Sequence, residues 1–281
     1  KPQVRGKEVL SAQDVGFAYT PRSPKVLEHI NFSVYEGEML SLVGTNGAGK
    51  STLAKLITGI VRESEGRFLF NGQDMAGMTI RERSRHIGFV MQNPNQMLCK
   101  PMIYDEVALG LRLNGVPENE IKDRVNHACS ICGIAPFISW PVSALSFGQK
   151  KRVTIASVLA MQPRIIILDE PTAGQDYRHY CEIMEFLVSL NKSGVTIILI
   201  THDMHLMLEY TARSLVLHAG RLLSDSDSVH ALTDTAIAEK ASLKVTSLYT
   251  LAEKAGSDDS HRFVQNFIDY EREVLREGKT V

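Results

Sequence analysis

The chain has 281 residues, enough for one large domain or two small ones with a sizeable apolar core. Its formal net charge is −1, so no global field favours a nucleic acid or an anionic membrane as a partner. No apolar run approaches the roughly 18 residues of a membrane-spanning helix, and the first residues contain no apolar segment typical of a secretory signal.

The first elements in chain order are two predicted strands, at residues 9–19 and 26–34, separated by a Pro-containing loop. In the first of them Val15, Phe17 and Tyr19 share one face, because alternate residues of a strand point the same way. The two strands predict an antiparallel β layer beside the core of the fold.

A glycine-rich segment then matches G-x-x-x-x-G-K-[ST], the phosphate-binding P-loop. It follows a short apolar strand at 39–43 and precedes a helix with apolar residues at helical spacing. This geometry points backbone N–H groups at an anion, the lysine reaches the outer phosphates, and the serine hydroxyl is a Mg²⁺ ligand. The segment consists of Gly44, Thr45, Asn46, Gly47, Ala48, Gly49, Lys50, Ser51 and Thr52.

The middle of the chain is predicted to be helical from residue 102 to about 161, in segments separated by Gly, Pro and Ser. We interpret the region 94–161 as a helical insertion. It contains Cys129 and Cys132, the one C-x-x-C pair among four cysteines, and a zinc site needs a second pair. A packing role is therefore favoured for both, and the scattered cysteines indicate a reducing, cytoplasmic setting.

Two apolar runs, at 164–169 and 195–201, are typical of buried parallel strands, and the amphipathic helix 178–191 between them indicates a parallel α/β sheet. Asp169 and Glu170 end the first run. A carboxylate at the end of a central parallel strand lies beside the P-loop. Asp169 is therefore predicted to join the Mg²⁺ shell, and Glu170 to activate a water as general base.

The C-terminal part begins with a predicted hairpin at 215–223 and a polar run at 225–228. We expect a first domain of residues 1–225 and a C-terminal helical extension of 226–281. In the extension an apolar stripe follows a predicted helix cap at 257–260. Packing on the first domain and dimerisation explain this stripe equally well. The stripe consists of Phe263, Val264, Phe267, Ile268 and Val274.

One more helix start, with Ser146 as N-cap, reads LSFGQ at 145–149, and such a start is itself an anion site. The order P-loop, Gln92, LSFGQ, ILDEPT and Thr-His-Asp at 201–203 resembles the ATP-binding cassettes of ABC transporters. LSFGQ is similar to the signature LSGGQ of that family, with Phe147 replacing the first glycine. The resemblance covers about residues 9–223.

This resemblance implies an α/β fold with a P-loop NTPase core, and ATP and Mg²⁺ as cofactors. Tyr19 corresponds to the aromatic that stacks on adenine, and Gln92 to the Q-loop glutamine. His202 corresponds to the switch histidine that contacts the γ-phosphate and acts with Glu170 in catalysis. Asp176 corresponds to the D-loop aspartate, although a glutamine precedes it where the family usually has leucine. The implied Mg²⁺ ligands are Ser51, Gln92 and Asp169.

In this family the P-loop of one cassette faces the signature of another, with ATP between them. The resemblance therefore implies that one cassette alone does not complete catalysis, and that the partner is an identical, paralogous or fused cassette. ATP then favours the closed dimer, and hydrolysis releases it. The residues implied to serve the partner's ATP are Ser146, Phe147, Gly148 and Gln149.

Residues 91–96 and 105–111 are similar to the Q-loop region of energy-coupling-factor (ECF) ATPases, the importers of cobalt, nickel and vitamins. Residues 145–160 resemble second cassettes of tandem ECF ATPases, some labelled for hydroxymethylpyrimidine or thiamine. A start without Met agrees with a second cassette, and trimming explains it equally well. The resemblance implies a transmembrane coupling subunit, a substrate-binding membrane subunit and a peripheral position at the cytoplasmic face of the membrane.

Two other classes of ABC protein stay as alternatives. A non-transport ATPase acting on DNA or the ribosome is disfavoured, because the sequence shows neither a long coiled coil nor a charged linker between two cassettes, and its charge is near neutral. A scaffold cassette that binds ATP without turnover is disfavoured by Glu170 and His202. The replacements at Phe147 and Gln175 keep this second alternative open.

Overall fold

The computed structural model describes residues 6–173, 177–243, 247–254 and 260–276. The strands of this part of the chain are β1 (Glu8–Phe17), β2 (Leu27–Tyr35), β3 (Met39–Gly44), β4 (Glu65–Phe70), β5 (Gln73–Asp74), β6 (Ile87–Val90), β7 (Ile165–Asp169), β8 (Thr196–Ile200), β9 (Arg213–His218) and β10 (Arg221–Asp227). The helices are α1 (Lys50–Ile57), α2 (Ile80–Ser84), α3 (Ile103–Leu113), α4 (Glu118–Ile131), α5 (Phe147–Ala160), α6 (Tyr177–Lys192), α7 (Met204–Tyr210), α8 (Ser228–Thr233), α9 (Thr235–Lys240), α10 (Ser247–Lys254) and α11 (Ser260–Arg276).

The larger sheet has the strand order β10-β9-β3-β8-β7-β6 and is parallel except for the edge pair β9–β10. All residues of β3, β7 and β8 are buried. Alternate residues face two separate cores: Ile166 and Leu168 belong to one, and Ile165 and Ile167 to the other. Burial on both faces explains the unbroken apolar runs, and the predicted parallel α/β sheet is confirmed.

The smaller sheet is antiparallel, in the order β2-β1-β4-β5. Its central strand β1 pairs Leu10 with Val34 of β2 and with Phe70 of β4. The inner face of this sheet shares an apolar core with α1, where Leu53 and Leu56 are buried. The predicted antiparallel layer is confirmed, and it covers the helix that follows the P-loop.

Helices α3, α4 and α5 pack against one another on the opposite face of the parallel sheet. The predicted helical character of this region is therefore confirmed, and its bounds at 94–161 stay a prediction. Cys129 and Cys132 are both buried in its core, and burial raises the pKa of the Cys129 thiol to about 11. These buried, protonated thiols accord with a packing role.

The C-terminal helices α8 to α11 share an apolar core with α7 and with strands β3 and β9 of the larger sheet. Strand β10 continues to Asp227, two residues past the predicted boundary at 225, because its ladder with β9 persists to the pair Asp227–Arg213. The predicted boundary thus falls inside a strand, and the division into two domains stays a prediction. No helix in the described ranges is both long and apolar enough to cross a lipid bilayer.

The apolar stripe of α11 divides between buried and exposed residues. Val264 and Ile268 are buried in the apolar core that they share with Val43 of β3 and Val216 of β9, which confirms the packing role for these two. Phe263 and Phe267 each remain 37% exposed. The side chain of Val274 and most of the predicted helix cap at 257–260 lie outside the described residues. A dimerisation role for the exposed aromatic residues stays a prediction.

Candidate nucleotide-binding site

The P-loop connects the end of β3 to the start of α1, at the carboxyl edge of the parallel sheet. Gly44 has a φ of 144°, and a Cβ there would lie 2.0 Å from the carbonyl oxygen of Leu217 in β9. Gly49, the N-cap of α1, has a φ of 104°, and a Cβ there would lie 2.5 Å from Leu27. Both positions require glycine, and together they let the loop turn sharply into the helix.

Lys50 opens α1 and is nearly buried. Its ammonium group donates hydrogen bonds to the carbonyl oxygens of Gly44, at 2.8 Å, and Thr45, at 3.0 Å. Burial lowers the pKa of Lys50, and the Glu170 and Asp169 carboxylates oppose that shift. The lysine therefore places a cation across the mouth of the loop, where a helix N-terminus already favours anions.

Three oxygen-bearing side chains lie on the other side of the loop. The Ser51 hydroxyl donates a 2.8 Å hydrogen bond to Oδ2 of Asp169, which ends β7. Gln92 follows β6 and lines the same cavity as Ser51 and Asp169. Hydroxyl, amide and carboxylate oxygens are the ligands that Mg²⁺ prefers, so the residues present fit a magnesium ion at this point.

Glu170 and His202 follow the neighbouring strands β7 and β8 and meet beside these three side chains. Nδ1 of His202 and Oε1 of Glu170 share a 2.6 Å hydrogen bond. Glu170 is nearly buried and has a φ of 48°, while the imidazole of His202 is largely exposed. A buried carboxylate hydrogen-bonded to an accessible histidine is a suitable arrangement for moving a proton at the mouth of the cavity.

These residues surround one cavity of about 690 Å³. It is lined by Val26, Gly44, Thr45, Asn46, Gly47, Gly49, Lys50, Ser51, Thr52, Gln92, Asp169, Glu170, His202 and Ser242. The structure thus brings together the predicted P-loop, Q-loop, carboxylate and histidine residues. Ala48 differs from the other P-loop residues, because its methyl group is buried in the apolar core rather than facing the cavity.

A second cavity of about 540 Å³ adjoins the first and shares Val26 and Gly47 with it. Tyr19 lines this second cavity and is 58% exposed. The ring packs edge-on against Phe17, at 4.9 Å between centroids, and its hydroxyl lies 3.2 Å from the hydroxyl of Thr52. An exposed, fixed aromatic face next to a phosphate site is suited to stacking on a flat base.

The signature residues lie at the start of α5. The Ser146 hydroxyl accepts a hydrogen bond from the Gln149 N–H, and the Gln149 side chain accepts one from the Ser146 N–H, which forms a capping box. Phe147 is the first helical residue and is 44% exposed. Of the described residues, none of Ser146, Phe147, Gly148 and Gln149 lines the P-loop cavity. Asp176, the predicted D-loop residue, lies outside the described residues.

Lys151 in α5 is one of the residues of the site region that were not predicted. Its side chain is 1% exposed, and its ammonium donates to the carbonyl oxygens of Met91 and Gln92, both at 2.9 Å, and of Asp169, at 3.2 Å. Burial lowers its pKa to about 8, and the Asp169 and Glu170 carboxylates oppose the shift. The sequence contained one indication that Lys151 is buried, because Lys151 lies four residues before the buried Ile155 and therefore on the same face of α5.

A glycine loop between β3 and α1, with two carboxylates at the end of the parallel strand β7, defines a P-loop nucleoside triphosphatase. The family model for the ABC transporter matches residues 27–173, more than half of the chain. The chain belongs to this family. It is an ABC-type ATPase cassette, and the complete set of P-loop, carboxylate, glutamine and histidine side chains around the cavity agrees with that class.

Two curated relatives extend the similarity over nearly the whole chain. An ABC transporter ATP-binding protein of Clostridium perfringens (strain 13 / Type A) is 57% identical over 264 residues, which are 94% of this chain and 46% of the relative. Another, from Enterococcus faecalis (strain ATCC 700802 / V583), is 54% identical over 271 residues, 96% of this chain and 48% of the relative. The chain therefore spans about half the length of the curated relatives it matches.

Two solved structures share the fold. The structure of cbiO1 from Clostridium perfringens, part of the ABC transporter complex cbiONQ, has a TM-score of 0.75 and 34% identity, and the match covers 89% of this chain and 99% of cbiO1. The ATP-binding cassette MJ0796, in a dimeric post-hydrolysis state with ADP and phosphate bound, has a TM-score of 0.71 and 26% identity, over 78% of this chain and 98% of that one.

Proposed function

We propose that this chain is the ATP-hydrolysing cassette of an ECF-type importer that takes up a vitamin, a vitamin precursor or a metal ion. The observation that carries the proposal is the similarity to cbiO1, which extends over 89% of this chain and belongs to a protein of the complex cbiONQ. The Q-loop sequence at 91–96 gives further support. In this proposal the cassette is a peripheral protein at the cytoplasmic face of the membrane.

Binding of ATP follows from the two adjoining cavities. The P-loop N–H groups and Lys50 hold the β- and γ-phosphates, because both place positive charge at the start of α1. The adenine lies in the second cavity against Tyr19. The Tyr19 hydroxyl, 3.2 Å from that of Thr52, links the base cavity to the phosphate cavity.

Ser51, Gln92 and Asp169 are the residues that would hold Mg²⁺. When bound, Mg²⁺ neutralises the charge that develops on the phosphate oxygens. The hydrogen bond from Ser51 to Asp169 keeps the two side chains 2.8 Å apart and turned to the same point. Because the serine follows Lys50 directly, these ligands lie next to the outer phosphates.

Hydrolysis requires a group that accepts a proton from the attacking water, and Glu170 is placed for this role. Its carboxylate is held by the imidazole of His202, at 2.6 Å, on the side of the cavity that faces solvent. His202 can then contact the γ-phosphate with the nitrogen that Glu170 does not occupy. The pair therefore orients the water and the phosphate with respect to each other.

The signature residues lie outside the P-loop cavity, which supports a site completed by a second cassette. This partner is an identical, paralogous or fused cassette, and a transmembrane coupling subunit and a substrate-binding membrane subunit complete the proposed importer. ATP bound between the two cassettes favours their closed dimer, because it contacts the P-loop of one and the signature helix of the other. Hydrolysis then removes that bridge.

Reconstitution tests this proposal. The full-length protein is combined in lipid vesicles with its candidate membrane subunits, and ATP-dependent uptake of thiamine precursors, cobalt and nickel is measured together with ATPase activity. We expect one substrate to accumulate and the ATPase rate to rise in the complete assembly. ATP binding without turnover would favour a scaffold cassette. Turnover that no membrane subunit changes would favour a non-transport ATPase.

A further inference from the structure

Lys151 is a buried cation with three hydrogen-bond partners, all of them main-chain carbonyl oxygens. An ammonium group has three donors and no acceptor, so three carbonyl oxygens satisfy it completely. Its neighbours in sequence have different partners. Lys150 donates to the Asn95 side chain at the surface, and Arg152 pairs with Glu182 of α6. The buried position is therefore a particular property of Lys151 and not of the basic run.

The three carbonyl oxygens belong to two separate segments that carry site residues. Met91 and Gln92 directly follow β6 and begin the Q-loop, and Asp169 ends β7. Lys151 itself lies two residues after the signature residue Gln149 on the same helix. One side chain therefore joins the signature helix, the Q-loop and the carboxylate end of β7.

The contact with Asp169 bears directly on Glu170. The Asp169 carbonyl belongs to the peptide group that leads into Glu170, and the N–H of that same peptide donates to the carbonyl of Ile200 at 2.9 Å. The peptide plane is thus held from both sides. Glu170 has a φ of 48°, a conformation that residues other than glycine keep only where their surroundings enforce it.

We propose that Lys151 is a positioning residue that fixes the Q-loop and the Asp169–Glu170 peptide to the signature helix. The inference rests on the proposed ATPase function for its kinetic consequence, while the structural link itself does not. Without Lys151, the Gln92 and Asp169 side chains no longer share one anchored frame. In addition, when the signature helix moves toward a partner cassette, Gln92 and Asp169 of the same chain no longer move together with that helix.

Hydrogen exchange on the full-length protein tests the structural link. In Lys151→Met we expect backbone amides in 91–98 and at 169–170 to exchange about tenfold faster than in the wild type, since these segments lose their shared anchor. The control is Lys150→Met, which removes the same charge one residue away at an exposed hydrogen bond. Its exchange in both segments should match that of the wild type. Unchanged exchange in Lys151→Met would overturn the proposal.

Steady-state kinetics and binding test the consequence for the site. In Lys151→Met we expect kcat to fall about 10- to 100-fold, as for other residues that orient ligands indirectly. ATP affinity measured without Mg²⁺ should stay within about threefold of the wild type, because the P-loop is untouched. Lys151→Gln, which keeps two N–H donors, should be intermediate and serves in place of Lys151→Met if the latter does not fold.

The outcomes separate this inference from the proposed function. If kcat in Lys151→Met falls only in proportion to the amount of folded protein, Lys151 has a role in stability alone, and the positioning role is overturned. Equal losses of kcat in Lys150→Met and Lys151→Met would overturn it as well. If the wild-type protein shows no ATPase activity, the proposed function fails, and the exchange measurement still decides whether Lys151 anchors the two segments.

Discussion

At the residue scale, backbone and side-chain contacts together hold Glu170 and His202 in place. β7 and β8 are parallel neighbours, so the residues that follow them emerge at the same edge of the sheet. The Glu170 N–H donates to Ile200 of β8, and the imidazole of His202 lies 2.6 Å from the carboxylate. The carboxylate therefore has little freedom to leave the mouth of the cavity, which suits the proposed role of Glu170 as general base.

Glu170→Gln separates proton transfer from ATP binding. The amide fills the same volume and still hydrogen-bonds to His202, but it cannot accept a proton from water. We expect kcat for ATP hydrolysis to fall by about 10²- to 10⁴-fold, with ATP affinity within about threefold of the wild type. Glu185→Gln, at an exposed position of α6, is the control and should leave both unchanged. Wild-type turnover in Glu170→Gln would remove its role as base.

Most site residues could be predicted because each belongs to a short run of consecutive residues with its own chemistry. The P-loop and Asp169 with Glu170 are of this kind, whereas His202 was predicted only from the resemblance to ABC cassettes. Lys151 could not be found in this way, because its three carbonyl partners lie in segments about 60 and 18 residues away along the chain. Main-chain partners leave no pattern in the sequence.

At the scale of elements, the apolar runs predicted β7 and β8. The start of β9 and the end of β10 contain polar residues, and the predicted hairpin therefore was too short at both ends. The predicted hairpin began at residue 215, but β9 begins at Arg213. That arginine is buried because it pairs with Glu38 and Asp225 and donates to the Ser33 carbonyl. These contacts come from two other segments, residues 33–38 and β10, so hydropathy alone assigns such a residue to the surface.

The approach of β3 to β9 at Gly44 gives a prediction for the P-loop strand. Gly44→Ala puts a methyl group 2.0 Å from the Leu217 carbonyl, and backbone cannot move aside without parting the two strands. Gly72→Ala is the control, because Gly72 also has a positive φ but has nothing within 4 Å of a Cβ. We expect Gly44→Ala to melt about 5–10 °C below Gly72→Ala in a thermal scan. Equal melting temperatures would contradict the close approach.

At the scale of the whole molecule, the C-terminal helices reach the strand that carries the P-loop. Val43, the residue before Gly44, shares an apolar core with Val264 and Ile268 of α11. The sequence predicted the stripe on α11 but not its partner, because the two lie more than 200 residues apart in the chain. The extension therefore packs against the strand that leads into the P-loop, while Phe263 and Phe267 stay partly exposed.

The separation of the signature from the P-loop cavity gives the last prediction, which concerns the assembled protein. Lys50→Ala removes the P-loop cation, and Gly148→Asp puts a negative charge where the partner's phosphates are expected. Aspartate is tolerated in the first turn of α5, since a helix N-terminus favours acidic residues. Each variant alone should therefore fold and lack ATPase activity.

Mixing the two inactive variants distinguishes a shared site from one built within a single chain. In a symmetric dimer, a mixed pair contains one site that combines the intact P-loop of the Gly148→Asp chain with the intact signature of the Lys50→Ala chain. We expect random exchange to restore about a quarter of wild-type activity, because half the dimers are mixed and each has one working site. The measurement is ATPase rate against mixing ratio under conditions in which the wild type is active. Full activity of Gly148→Asp by itself, or no recovery of activity on mixing, would contradict a site shared between identical chains. If activity recovers only with a fused or paralogous cassette, that cassette is the partner.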